Sequence, residues 1–417
     1  MNIEEISAQL GVSQKQLRKL VASGSIAYTK EGTSYNIDKK DLKKVRKAIL
    51  DGSLIQQTKE SKQTERFDGV EKQEREVNWT DISREWERPV RSNLTFVDLF
   101  CGAGGLSKGF EMAGLHGICG LDWFDEAGMT YRRNFDHPFV NGDIKSAEKK
   151  KEFYETVRKQ LKGRQLDIVA GGFPCQGFSM AGNRIVDDPR NSLYLELVEI
   201  VRTLQPNYVV CENVKGLRSM LNGKVEQKIL DDFRAIGYEM NVATLCAADY
   251  TTPQKRERVI FIGNRLGLQN LHPKAILDPE HYVTTGQAIA DLMNHPEDPA
   301  FNHVPTKHRP DMAQRMQDLA EGESLYAGYS DAWKKCPWNE ASCTIKENHG
   351  GVNIHPRLPR VLTAREMARL QSFPDDFIFE GPKNKQLVQI GNAVPPYLGK
   401  AIGLAIKAMN RNRRRND

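Results

Sequence analysis

The fold of this chain turns on the stretch Phe96-Val97-Asp98-Leu99-Phe100-Cys101-Gly102-Ala103-Gly104-Gly105. An apolar strand runs into a glycine cluster, and a helical pattern follows at once. Glycines at such a junction let the backbone turn tightly and approach a ligand closely. Gly102 and Gly104 begin a G-x-G-x-x-G spacing, but position 107 is Ser107, so the dinucleotide-binding fingerprint is incomplete. Taken alone, the loop fits a nucleotide-like ligand or a tight structural turn.

The same alternation continues outward. The β-like runs Leu94–Phe100, Ile118–Leu121, Ile168–Ala170, Tyr208–Cys211 and Val259–Ile262 are separated by longer helical patterns. That order predicts an α/β, doubly wound domain with a mostly parallel sheet between helices. In such sheets ligands lie beyond the carboxyl ends of the strands, so the residues just after each run are candidates for function. Asp122, followed by Trp123, stands about 20 residues past the glycine loop, where an acid can grip a ribose diol. Asp143, in Asn141-Gly142-Asp143-Ile144, follows the next expected strand and suits either an adenine amino group or a solvated turn. In Gly171-Gly172-Phe173-Pro174-Cys175-Gln176-Gly177-Phe178-Ser179, the cysteine follows a proline on a glycine-flanked loop. That setting favours a nucleophile over an inert packed thiol. Glu212-Asn213-Val214 ends another apolar run and brings a carboxyl to the same edge. Gln254-Lys255-Arg256-Glu257-Arg258 precedes the last run; if it is extended, its alternate arginines share one face, which a solvated strand edge would also explain.

Residues 1–50 carry ten basic and five acidic side chains. They resemble the small winged helix-turn-helix domains of excisionase-type regulators, with Gln14, Lys15, Arg18 and Lys19 on the helix that would enter a major groove. A protein-interaction or structural module is the alternative. Residues 51–92 are charged and polar, with isolated Trp79 and Trp86, and read as a linker whose tryptophans dock on the next domain. Between about 264 and 356 the alternation gives way to segments rich in proline, histidine and asparagine, which fits a smaller second domain. The expected division is a large domain at 93–265, a small domain at 266–380, a segment at 381–410 returning to the first, and a basic tail at 411–417.

The formal net charge of +6 over 417 residues suits a polyanionic partner without requiring one. The seven cysteines (Cys101, Cys119, Cys175, Cys211, Cys246, Cys336 and Cys343) are odd in number and lack the spacing of a zinc site or a disulfide framework. A reducing cytoplasm is the expected setting. No apolar run approaches the roughly 20 residues that span a bilayer, and no basic-then-apolar leader opens the chain, so no membrane partner is expected.

In this order the motifs resemble the cytosine carbon-5 DNA methyltransferase family across nearly all of residues 93–409. They are the loop from Asp98, the segment around Cys175, Glu212-Asn213-Val214 and Gln254–Arg258. Arg365-Glu366 with Arg369-Leu370-Gln371-Ser372-Phe373-Pro374 and Gly391-Asn392-Ala393-Val394-Pro395-Pro396 complete the set. The resemblance implies a Rossmann-like methyltransferase domain with a small target-recognition domain, S-adenosylmethionine as methyl donor, no metal, and double-stranded DNA as substrate. Cys175 would add its thiolate to cytosine carbon 6, turning carbon 5 into a nucleophile. Glu212 would protonate or hydrogen-bond ring nitrogen 3, Arg258 would steady the base, and Arg256 would support the site. The cytosine would be flipped out of the duplex to reach them. Gln176 and Ser179 resemble family residues near the DNA, with Asn183 and Arg184 as phosphate or loop-hinge candidates. For the cofactor, Phe100 would stack near it, Gly102 and Gly104 line the loop, and Asp122 bind ribose. Trp123 would pack by the adenine, Asp143 with Ile144 hold it, and Asn392 close the methionine end.

Family members read DNA sequence mainly with a variable region, here only about 265–335. So short a reader points to a compact recognition site, to help from residues 1–50, or to a partner such as a second methyltransferase subunit. A bacterial restriction-modification system with a cognate endonuclease is the expected setting. Two other classes compete. The RNA-methylating branch carries a Cys-Phe-Thr signature that is absent here, and a non-catalytic DNA-binding regulator would not need Cys175, Glu212, Arg256 and Arg258 together.

Overall fold

The computed structural model describes residues 85–174, 192–326, 333–346 and 352–414, with the backbone of the strands Tyr28–Glu31 and Ser34–Ile37. The chain forms two compact units, Met1–Glu76 and Val77–Asp417. In the first, the two strands pair antiparallel, Tyr28 opposite Ile37. The helices expected of a helix-turn-helix lie outside the described residues, as do Cys175, Gln176, Ser179, Asn183 and Arg184.

The second unit is built on one seven-stranded sheet. Its strands are β1 (Thr95–Leu99), β2 (His116–Asp122), β3 (Phe139–Asn141), β4 (Ile168–Gly171), β5 (Tyr208–Val214), β6 (Glu239–Cys246) and β7 (Glu257–Asn264). Their order across the sheet is β3-β2-β1-β4-β5-β7-β6. β1 to β5 run parallel, while β7 is antiparallel to both neighbours. The edge strand β6 is only partly buried, which is why its mixed composition stands out less in the sequence than the central runs.

Alternate residues of each central strand feed opposite faces, as the pleat requires. Val97, Leu99, Val169 and Val209 pack on one side with Phe153 and Val157 of α3 (Ala147–Leu161), Leu197 of α4 (Ser192–Leu204) and Phe233 of α5 (Lys224–Ala235). Phe96, Ile168, Val210 and Ile260 pack on the other with Phe110 of α1 (Gly105–Met112) and Ile402 and Ile406 of α10 (Pro396–Arg414). Helix α10 continues through Arg411, where a tail was expected to begin; Arg411 and Lys407 both pair with Glu85, and Trp86 lies edge-on to Tyr397.

A third apolar cluster holds the later part of the chain together. It joins Ile289, Met316, Ile354, Met367, Phe373 and Phe377 to Tyr131 and Phe135 of α2 (Asp125–Asn134). Its helices are α6 (Thr285–Ile289), α7 (Pro310–Asp318), α8 (Ala364–Leu370) and α9 (Lys383–Asn392). Helix α8 starts with a reciprocal cap between Thr363 and Glu366, and Arg365 is buried against the Phe301, Pro374 and Phe377 carbonyls.

Candidate active site

Strand register brings the functional ends level. Leu99 pairs with Leu121 on one side and Gly171 on the other, and Gly171 pairs with Cys211. The next residues, Phe100, Asp122, Gly172 and Glu212, therefore emerge side by side along one sheet edge. They line a single cavity of about 540 Å³ with Gly102, Trp123, Asp143, Ile144, Pro174 and Asn392. Asn392 comes to it from the end of α9, far away in sequence.

The glycine loop closes the cavity floor. Phe100, Gly102 and Gly104 all have positive φ, at 55°, 53° and 94°. A side chain on Gly104 would strike the Phe135 ring, 2.4 Å away, whereas a Cβ on Gly102 would find nothing within 4 Å. Gly104 is thus required by packing, and Gly102 leaves room beside the cavity. Asp122 steadies this loop, accepting from Gly102 N at 2.8 Å and Phe124 N at 2.9 Å. Burial raises its carboxyl above the ordinary range despite those bonds. Asp143 is exposed and accepts from Lys145 N at 2.9 Å, and Ile144, next in the chain, is buried. Trp123 is 73% exposed at the rim.

At the other end, Arg258 Nε lies 2.8 Å from Glu212 Oε1. Asn213 Nδ2 donates to Phe173 O at 2.9 Å, tying β5 to the segment that leads into Cys175. The two arginines of the Gln254–Arg258 motif part company. Arg256 is buried and donates to Ile345 O, Gly391 O and Ala393 O at 3.0, 2.9 and 3.1 Å. Burial, then the Arg258 charge, lowers its affinity for the proton. It clamps three backbone segments together, while Arg258 faces the cavity-lining carboxylate.

Two residues without an assigned role in the sequence matter here. Gln254 donates to Leu370 O and Gln371 Oε1 and accepts from Ile345 N, joining three segments behind the site. Asp98, buried in β1, lines the cavity and accepts from Ser107 Oγ at 2.6 Å. Ser107 Oγ lies 2.9 Å from Tyr131 Oη, which lies 2.7 Å from His137 Nε2. Burial pushes the Asp98 carboxyl up to about 7. An acid inside an otherwise apolar strand is the signal that marks it. Among the described residues, no three His, Cys, Asp or Glu side chains gather to hold a metal, and no helix is long and apolar enough to cross a membrane.

Residues 94–408 match the C-5 cytosine-specific DNA methylase family. The chain is 37% identical over 337 residues to the type II methyltransferase M1.HphI of Haemophilus parahaemolyticus, covering 77% of this chain and 88% of that one. It is 32% identical to M.DdeI of Desulfomicrobium norvegicum, covering 74% and 87%. Among solved structures, a DNA modification methyltransferase encoded within an E. coli prophage superposes with a TM-score of 0.62 at 27% identity, covering 76% of this chain and all of that one.

Proposed function

The chain belongs to the C-5 cytosine-specific DNA methylase family, and from that premise we propose how its own residues methylate carbon 5 of a cytosine in double-stranded DNA. The observation that carries the proposal is the common edge on which Pro174, the residue before Cys175, lines the same cavity as Glu212 and Asp122.

The cavity fits S-adenosylmethionine. Its floor is a glycine loop with open space at Gly102, its sides carry the Asp122 and Asp143 carboxylates, and an exposed indole stands at its rim. Phe100, Gly102, Gly104, Asp122, Trp123, Asp143, Ile144 and Asn392 would hold the molecule. When bound, it supplies an electrophilic methyl group on a sulfonium centre.

The Cys175 thiolate forms a bond to carbon 6 of the flipped base, and the displaced ring electrons make carbon 5 nucleophilic. Glu212 gives a proton or hydrogen bond to ring nitrogen 3, absorbing the charge that develops there. Arg258 holds the Glu212 carboxyl group in place and contacts the base, and Arg256 keeps the surrounding backbone fixed. After methylation, loss of the carbon-5 proton and expulsion of the thiolate restore the aromatic ring. Gln176, Ser179 and Arg184 contact DNA. Type II relatives support a restriction-modification role; in this reading the chain acts in the bacterial cytoplasm, and the basic residues 1–50 add a DNA-binding unit.

The test is bisulfite sequencing of DNA from cells expressing the chain, beside a Cys175→Ala control. Protected cytosines in one repeated context, absent from the control, are expected. Protection that persists in the control would rule out Cys175 as the nucleophile.

A further inference from the structure

Outside the cleft, the described thiols include one close pair. Cys336 Sγ and Cys343 Sγ are 3.7 Å apart, with Cys336 fully buried and Cys343 partly exposed. Asn353 Nδ2 donates to Cys343 Sγ at 3.2 Å. Cys343 thus lies nearer the surface than the fully buried Cys336, the order expected of an attacking and a resolving cysteine. The hydrogen bond from Cys336, the Lys334 charge and the Asn353 amide lower the Cys343 thiol below its ordinary value, against the opposing effect of burial.

The pair is coupled to the cleft by backbone. Ser342 N donates to Pro253 O at 3.0 Å, and Lys255 N donates to Ser342 O at 2.8 Å. Thr344 Oγ1 donates to Lys255 O at 3.0 Å, and Ile345 provides both a donor to Gln254 and an acceptor for Arg256. On its other side Cys336 N donates to Ile354 O at 3.1 Å. The strand of contacts beside Cys343 is thus the one that sets Arg256, two residues before Arg258.

We propose that Cys336 and Cys343 form a reversible redox site, oxidised by hydrogen peroxide to a disulfide that shifts the Arg256 support and slows methylation. The Cys343 thiolate attacks one peroxide oxygen and releases hydroxide, giving a sulfenic acid. The Cys336 thiol then attacks that sulfur, the S–S bond forms, and water leaves. In sum two thiols and one peroxide give one disulfide and two waters. A disulfide needs the sulfurs near 2 Å, so they must close by more than an ångström; where the neighbouring backbone passes a shift of about that size on to Arg256, the rate should fall by on the order of a hundredfold.

Trypsin cleavage after Lys335 and Lys346 leaves both cysteines on one peptide, Cys336–Lys346. The full-length protein is titrated with peroxide, alkylated, digested and weighed, while methylation is followed before and after dithiothreitol. The expected result is a peptide that takes up no alkyl group and weighs about 2 Da less than its free dithiol form, with methylation falling in parallel and recovering on reduction. Cys336→Ser and Cys343→Ser, each with full starting activity, should lose the 2 Da change and the reversible share of the inhibition, leaving only oxidation at Cys175. A peptide that stays reduced or ends as a sulfinic acid overturns the proposal, as does a disulfide that leaves activity unchanged. Because the mass is read directly, failure of the redox site is distinguishable from failure of the methylation mechanism.

Discussion

Arg258 Nε meets Glu212 Oε1 at 2.8 Å although neither sits opposite the other in the β5–β7 ladder. Arg258 pairs with Val214 and Glu212 with Ile260, so the two side chains are diagonal neighbours on one face of the antiparallel pair. Their side chains are 13% and 12% exposed, which removes most of the solvent screening an outer ion pair would suffer. The carboxylate is thereby held at the cavity wall beside Gly172, where any side chain would come within 3.0 Å of Glu212 Oε2.

Glu212→Gln keeps the shape but removes the acid, so single-turnover methylation should fall by roughly 10²- to 10⁴-fold. Cofactor affinity, read by calorimetry, should change little. An equal loss of affinity and rate would show that Glu212 only shapes the pocket.

Arg256 and Arg258 should fail in different ways. Arg256→Met removes the donors of two buried carbonyls and one part-buried one, and the urea-unfolding stability should drop by about 3 kcal/mol or more. Arg258→Ala takes the partner from a largely buried carboxylate, so it should also cost stability, but methylation should collapse even under conditions where the variant remains fully folded. If Arg256→Met unfolds at the parent's urea midpoint, the clamp assignment is wrong.

Asp122 organises the glycine loop before any ligand arrives. Asp122→Ala leaves Gly102 N and Phe124 N without their acceptor and should weaken S-adenosylmethionine binding by tenfold or more, about 1.4 kcal/mol. Equilibrium dialysis with labelled cofactor measures this directly, and unchanged binding would refute it.

The buried Asp98 makes a pH prediction. Its folded carboxyl titrates at about 7 against an ordinary 3.8, chiefly through burial. The folded protein therefore holds this proton more tightly than the unfolded chain. The group's stabilising contribution is full below the unfolded value and is lost as pH rises through about 7. Thermal scans of the ligand-free protein between about pH 4 and pH 8 should show Asp98→Asn gaining on the parent as pH rises, by on the order of a few kcal/mol. A constant difference across that range would mean Asp98 does not titrate there.

The ends of the central strands were legible because their signals are local. Apolar runs of strand length, the glycine cluster after Leu99 and the acids at Asp122 and Glu212 follow from chain chemistry within a few residues. The parallel sheet and the family membership rest on those patterns. The edge strand β6 was harder to read, since half-burial dilutes its apolar pattern.

By itself the sequence determined the doubly wound fold, the family and the set of residues that emerge at strand ends. Only the tertiary structure decided what the neighbours of each residue are. Arg256 and Arg258 have the same spacing in either reading, yet Arg256 is clamped by carbonyls 89 to 137 residues away and Arg258 meets an acid across the sheet. The buried Asp98 and the Cys336–Cys343 pair are likewise matters of packing. Burial and hydrogen-bond partnership set proton affinity and reactivity, and both are supplied by segments that the chain brings together only when it folds.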